Sequence, residues 1–492
     1  MRVIHWAGLL GVACCSICLA RTAAEPSFRI GLNFTSTTQG ESHTKATAPD
    51  ANGAAGPGHV VELINGDFKV YDKRSGALLI AQSSEAFWEK ALGAAAFAAN
   101  PHHADPRVVF DVYAGRWYAS AQRPRPPVDG EMSVMVARSE TSDPTAGWKG
   151  VSILVDPDRA PKTGADFDRL GYNRDGLYLS INQFDMRPDG RLAPNGVALF
   201  SIKKSDFNLA TPVLTLDRRD HVTDISDATP VIDLDGTSRT GSFWGVVQGR
   251  AARLAPTDLF ARTDLRSDVT AWTLDCATTV IGDRAPHLLL KTTVPMEISQ
   301  PDADHRMLSF AKRPATTVQL VNGDFWLVHA ASHPDDSTRS AIRWWRIRAS
   351  DNAVLGEGVL ADPTLSLFIP SIAVDRQGRV VIGCAGTSAT QFLSAYAIAG
   401  RVSGEKVVFD SAFTLLKAGT SAFTSSVRWG DYTTTVVDPS SPGTFWTFLV
   451  SAQQNGEWAT QITQLIVAAA AKPTGTKQHD TPGRPGKVDG RR

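Results

Sequence analysis

Four aspartates, Asp105, Asp166, Asp227 and Asp431, each stand six or seven residues ahead of a recurring turn residue, and His59 stands six ahead of another. Arg107 and Arg169 sit four residues ahead of two of the same turns, and Arg428 lies three before Asp431. Matching positions of a repeated unit are carried to matching places by the fold, so these side chains are expected to form a partial ring. Carboxylates gathered in that way raise one another's pKa unless cations answer them. The arginines could supply the answer by ion pairing. A hard cation such as Ca²⁺, which takes six to eight oxygens, could equally be held by Asp105, Asp166, Asp227 and Asp431. Residue types alone leave both open.

The element that must position these groups is a hairpin written seven times. At 427–448, VRWGDYTTTVVDPSSPGTFWTF, an apolar run ends on Asp438, a Pro/Gly turn follows and an aromatic run returns. Turn residues between β-branched and aromatic runs are a strong hairpin signal. The same pattern is read at VVELI-NG-DFKVY, VVFD/WYAS, LGYN/LYLS, PVID/FWGVV, VQLVN/FWLVHA and SIAVD/RVVIGC. The turn residues fall at 65, 111, 173, 233, 322, 375 and 438. A strand-built recurrence of about 60 residues predicts a seven-bladed β-propeller of four-stranded antiparallel blades.

Outer strands are expected from the runs at 132–139, 196–202, 269–274, 341–347 and 392–398. Only 84–99, SEAFWEKALGAAAFAA, reads as helix, and it belongs on a connection. The long gap between turns 233 and 322 predicts an insertion around 277–300, with an eighth blade as the alternative.

Composition narrows the function classes. Fifty basic and fifty acidic side chains in 492 residues leave no whole-chain field to hold nucleic acid or an anionic membrane, so any charged site is local. No P-loop, GxSxG, HExxH or dinucleotide fingerprint occurs. His102 and His103 are adjacent and would point apart in a strand, which argues against a shared metal. Trp344 and Trp345 divide in the same way, one toward the core and the other a possible sugar-stacking platform.

Residues 1–24 read as a signal peptide: Arg2, an apolar core from Trp6 to Ala20, then small residues ending Thr22-Ala23-Ala24. The apolar run is short of the ~20 residues that span a bilayer. Beyond the leader only Cys276 and Cys384 remain, too few for a disulfide scaffold or a structural zinc cluster. Residues 25–471 are read as a single propeller domain. The tail 472–492 holds six Lys/Arg against two Asp and no apolar group able to bury a core, so disorder is expected there.

SETSDPTAGW at 139–148 resembles the Asp-box turn of sialidase-like propellers. AAGPGHVVELING at 54–66, DPRVVFD at 105–111, DFDRLGYN at 166–173 and RWGDYTTTVVDPSSPGTFWT at 428–447 extend the likeness, and over the mature chain the sequence is similar to secreted bacterial sialidase-like propeller proteins. That group brings no activity of its own. The wider likeness to retaining sialidases implies an arginine cluster for a carboxylate substrate, a tyrosine nucleophile and acidic partners, roles that Arg107, Arg169, Arg428, Tyr432 and Asp431 would take. In an extended strand, however, Arg428 and Tyr432 share a face and Asp431 takes the other.

The expectation is a secreted or surface-exposed binding module that recognises a glycan or an extracellular protein on the face where the inner strands begin, through Arg107, Arg169, Arg428 and His59. The alternative is a sialidase-like glycoside hydrolase using Tyr432 on the same face. Ca²⁺ is the cofactor the carboxylates would take. No nucleic acid, no membrane span and a monomeric state are expected.

Overall fold

The computed structural model describes residues 27–98, 102–123, 132–158, 163–189, 191–223, 225–237, 241–247, 250–256, 276–280, 297–301, 307–308 and 317–468. The leader, the basic tail, the strand expected at 269–274 and most of the insertion at 277–300 lie outside them. Within them the chain forms seven four-stranded antiparallel blades; short parallel pairs between inner strands join blades three, four and five into one continuous sheet, Thr414–Lys417 adds a fifth strand to blade six, and Glu297–Ile298 pairs with Met307–Leu308 as a separate short ladder.

Blade one is Gly53–Ala55, His59–Ile64, Asp67–Asp72 and Leu78–Ser83, and blade two is Ala104–Asp111, Arg116–Arg123, Ser133–Ser139 and Trp148–Leu154. Blade three is Thr163–Tyr172, Gly176–Met186, Leu192–Lys203 and Leu216–Val222. Blade four is Ser226–Asp233, Phe243–Val247, Arg250–Pro256 and Cys276–Val280. Blade five is Val318–Val321, Asp324–Ser332, Ser340–Arg348 and Val354–Leu360, and blade six is Ser366–Val374, Arg379–Thr387, Ser394–Ser403 and Lys406–Phe409. Blade seven is Thr434–Val437, Thr444–Gln453 and Glu457–Val467, and its fourth strand is the N-terminal Phe28–Thr38, paired antiparallel from Phe28↔Val467 to Thr38↔Ala459. Each inner strand contacts the next, blade seven returning to blade one, so the sheets close into a ring. The molecule is a seven-bladed β-propeller closed by pairing of its first and last strands.

Blades stack face to face, so their middle strands are buried on both sides. All seven residues of Ser133–Ser139 and all nine of Arg379–Thr387 are buried. This is why these strands lack the polar alternation of a one-sided sheet. Core clusters fill the spaces between blades: Tyr118, Val136, Leu179 and Phe200 between two and three, and Val328, Trp344, Ile372 and Ile382 between five and six. Trp344 and Trp345 do point apart, but both are core: Trp345 packs with Trp244 and Phe325 toward blade four. Neither is a sugar platform. The predicted helix is present as Ser84–Leu92 and Ala94–Ala98. Ser83 caps the first by accepting the Ala86 N–H at 3.0 Å, and Phe87 stacks on Phe68 against the outer edge of blade two. Cys384 is a free, buried thiol.

The repeated turn residue has a local cause. Oδ1 of Asp111 accepts the N–H of Tyr113, Oδ1 of Asn173 those of Asp175 and Gly176, and Oδ1 of Asp233 those of Asp235 and Gly236. Asp375 caps Gln377 and Arg379, and Asp438 caps Ser440. These are Asx turns, in which a short side chain replaces the backbone acceptor. They mark the trailing end of the inner strands. The opposite, leading end carries the candidate site.

Candidate functional site at the leading end of the inner strands

At the leading end most inner strands begin with a bulge. Register breaks between Ala104 and Arg107, Asp166 and Arg169, Ser226 and Thr229, and Phe368 and Ser371. In each break one residue is left-handed: Asp105 (φ 55°), Phe167 (φ 67°), Asp227 (φ 51°) and Ile369 (φ 49°). Asp50 (φ 49°) precedes the inner strand of blade one in the same conformation. Asp tolerates this region through local hydrogen bonding, whereas Phe and Ile do so at a cost of roughly 1–3 kcal/mol. Such a bulge re-aims the side chain at the leading end of its strand.

Three carboxylates converge there. Asp50, Asp105 and Asp431, from blades one, two and seven, bring one ligand oxygen each within 4.8 Å of one another. Asn65 ties two of them, donating from Nδ2 to Asp50 at 2.8 Å and accepting the Asp105 N–H at 3.0 Å. Asp50 also accepts the Asp431 N–H at 2.7 Å. Asp166 joins through Gln122, whose Nε2 donates to Asp105 at 2.8 Å and to Asp166 at 2.9 Å. Burial, and then the neighbouring Asp431, pushes the Asp50 carboxyl up to about 6. Burial, and then Asp50, raises Asp105 well above the carboxylate range. Arg428 holds Asp431 with two hydrogen bonds, 2.8 and 2.9 Å, from a side chain that remains 44% exposed. Such a group can accept hydroxyl donors or offer oxygens to a hard cation.

The other expected residues are placed differently. Asp227 lies at the leading end but pairs with Arg169 at 3.2 Å and accepts from Asn182 at 3.0 Å, outside the three-carboxylate group. His59 is corrected outright: it begins the second strand of blade one, at the trailing end, with Nε2 3.7 Å from Asp143 in the Asp-box-like turn. The Asn65-Gly66 turn joins the second and third strands rather than the first and second, so counting back from it reaches the wrong end of the blade. The residue missed is Asp50. Pro57-Gly58 is itself a turn signal, and six positions before Gly56 stands Asp50.

Arg107, Arg169 and Arg428 do not meet in one open pocket. Arg107 lies flat on the Tyr432 ring, 3.3 Å from its centroid, and donates to the Asp168 carbonyl at 3.1 Å. Arg169 lies 4.1 Å over Phe167, which is also 5.2 Å from Arg107. The result is a buried ladder of alternating rings and guanidinium groups, a desolvated cation–π arrangement. Tyr432 is 1% exposed and its hydroxyl donates to the Pro106 carbonyl at 3.0 Å. Burial drives its pKa well above the ordinary phenol value. Asp168 is buried beneath Arg107, accepts from Ser120 at 2.5 Å and is pushed up by burial to about 6.

The 139–148 segment does form a compact turn. Asp143 accepts the Thr145 N–H at 2.9 Å and Trp148 donates to the Pro144 carbonyl at 2.9 Å.

Fold and site together define a ring-closed propeller with an acidic group at the leading mouth of its axis. No family model matches the sequence, and no curated protein matches it. Among solved structures the chain is similar to the WD40 domain of SCAP from fission yeast, at 9% identity over 90% of this chain and 99% of that one, with a TM-score of 0.39. It is also similar to the α-L-arabinofuranosidase Arb93A of Fusarium graminearum (9% identity, 85% and 92% coverage, TM-score 0.37). A third likeness is to the α-L-arabinanase of Penicillium chrysogenum (7% identity, 89% and 99% coverage, TM-score 0.38). Likenesses this distant say nothing of this chain's activity, and the assignment to propellers rests on its own seven blades. Among the described residues no helix is long and apolar enough to cross a membrane.

Proposed function

We propose that the protein is a secreted or surface-exposed binding module that recognises a glycan at the leading end of the inner strands. The observation that carries this reading is the exposed Arg428, whose Nη2 donates to both oxygens of Asp431 beside the buried Asp50 and Asp105. A planar guanidinium donor next to carboxylate acceptors suits neighbouring sugar hydroxyls, which both give and take hydrogen bonds. The N-terminal leader pattern supports export.

A hard cation at Asp50, Asp105 and Asp431 is a companion to this reading, because burial, and after it their mutual repulsion, raises two of the three carboxyls, and a cation would offset both. The hydrolase alternative has less support. Its nucleophile would be a phenol sealed from solvent and already bonded to a backbone carbonyl.

The test is a glycan array run beside a fluorogenic glycoside panel on the secreted protein. Retention of a glycan, lost in Arg428→Gln, with no glycoside turnover, is the expected result. Turnover that Tyr432→Phe abolishes would replace the binding reading with the hydrolase one, and no retained glycan would remove it.

A further inference from the structure

The trailing mouth of the axis, opposite the site above, holds a cavity of about 450 Å³ to which all seven blades contribute. Its wall is mostly apolar: Ala54, Val109, Ile232, Val374 and Val436 come from the inner strands of blades one, two, four, six and seven. Volume and lining are those of pockets that enclose a small organic molecule.

The charges around it are not equivalent. Asp375 is spent on its own turn and on Arg379, whose Nε donates to it at 2.6 Å. Asp438 is spent on Lys73 at 2.9 Å and on the Trp446 indole at 3.1 Å. Asp235, near the rim, accepts two backbone N–H groups, those of Asn322 and Gly323, each at 2.7 Å. Gln319 in the wall is committed to the Val374 N–H at 2.9 Å. Arg376 is different. It is exposed on the cavity rim, steadied from Nη2 by the Leu234 carbonyl at 2.6 Å. Beside it Tyr113 also lines the cavity, its hydroxyl shielded from solvent and next to the Arg376 guanidinium.

We propose that this cavity is a second binding site, for a small amphipathic carboxylic acid whose apolar body fills the axis and whose carboxylate pairs with Arg376 at the rim. The fit is one of charge and shape. The wall offers apolar surface, Asp375 and Asp438 are paired with cations while Asp235 is held by backbone N–H groups, and a guanidinium receives a carboxylate through two parallel hydrogen bonds. The Tyr113 hydroxyl supplies a further donor to the same head group. The chain's own tail is a poor occupant, since residues 472–492 are polar and, like the rim arginine, predominantly cationic.

The experiment is isothermal titration of the full-length secreted protein with 4-phenylbutanoate, 4-phenylbutan-1-ol and 4-phenylbutylamine. Saturable one-to-one binding of the acid is expected, with the alcohol and amine weaker by about tenfold or more, the order of one charge-assisted bond. Arg376→Gln should erase the preference for the acid. Val112→Trp should block all three ligands, because Val112 lines the mouth and is exposed enough to accept a larger side chain without disturbing the core. Lys90→Ala, an exposed change on the helix of the first connection and outside the cavity lining, should leave acid binding unchanged. Absence of saturable acid binding, equal binding of the amine, or full retention of the preference in a folded Arg376→Gln variant would each overturn the proposal.

Discussion

The two ends of the inner strands treat buried carboxylates in opposite ways. At the trailing end each is answered by a cation or a turn. Lys204 from blade three pairs with Asp111 of blade two and donates to the Asn173 carbonyl. Lys73 of blade one reaches Asp438 of blade seven, and Arg379 holds Asp375 within blade six. At the leading end Asp50, Asp105 and Asp431 face one another, and two of them are pushed toward their protonated forms. Ion pairs that cross blade boundaries hold the ring in register. Like charges gathered at a mouth store repulsion that only a ligand, a cation or protons can relieve. That contrast is the reason to place glycan recognition among the leading-end carboxylates, and to read the trailing-end carboxylates as scaffold around the cavity they border.

The sharpest way to break the comparison is to remove one partner at each end. Lys204→Met leaves Asp111 buried without its cation and should cost about 3–5 kcal/mol, seen as a large fall in the denaturation midpoint. Burial raises Asp111 and lowers Lys204 even in the intact pair, so the loss comes from stranding a charge rather than from a strong native bond. Asp50→Asn at the leading end should be neutral or stabilising at pH 7.5. Equal destabilisation by both would erase the distinction.

pH separates the ends next. The folded chain keeps protons on Asp50 and Asp168 up to about pH 6, whereas the unfolded chain releases them near 3.8. More protons are then bound in the folded state, so stability falls as pH rises from 4 toward 7. Each such shift of about two pH units corresponds to roughly 3 kcal/mol. Chelator-treated protein should therefore melt higher at pH 5 than at pH 7.5, and Asp50→Asn should flatten the slope. A melting temperature that climbs over this range would count against the buried acidic group.

Ca²⁺, like protons, should stabilise the folded chain. At a hundredfold excess over its Kd, a cation bound only by the folded state adds about 2.7 kcal/mol. Calorimetry of chelator-stripped protein should show the increase, and Asp431→Ala should remove it. No shift with added Ca²⁺ would end the cation reading. Smallest of all is Arg428→Gln, a change at a half-exposed ion pair, expected to alter stability by about 0–1 kcal/mol. That makes it a clean probe of binding, and a fold lost in this variant would show Arg428 to be scaffold.

Much of the architecture was readable because its causes are local. Asp111, Asn173, Asp233, Asp375 and Asp438 each build their own turn, so their recurrence is a direct trace of the blades. The runs at 132–139, 341–347 and 392–398 are strands because their β-branched and aromatic residues pack against neighbouring blades. The site was half readable. Asp105 and Asp431 follow from counting back from true inner turns. His59 entered and Asp50 escaped because blade one begins with a three-residue strand too short to show periodicity.

The amino-acid sequence by itself determined the repeat, the turn chemistry, the all-β character and the leading-end position of Asp105, Arg107, Asp166, Arg169 and Asp431. These rest on side chains acting on their own backbone or on the next strand. Tertiary structure alone decided that Phe28–Thr38 completes the last blade, since that pairing spans more than four hundred residues and has no local signature. It also decided that Arg107, Phe167, Arg169 and Tyr432 stack into a buried ladder, while Arg428 stays in solvent. Burial and charge neighbours are properties of the closed ring, and no spacing within one blade can state them.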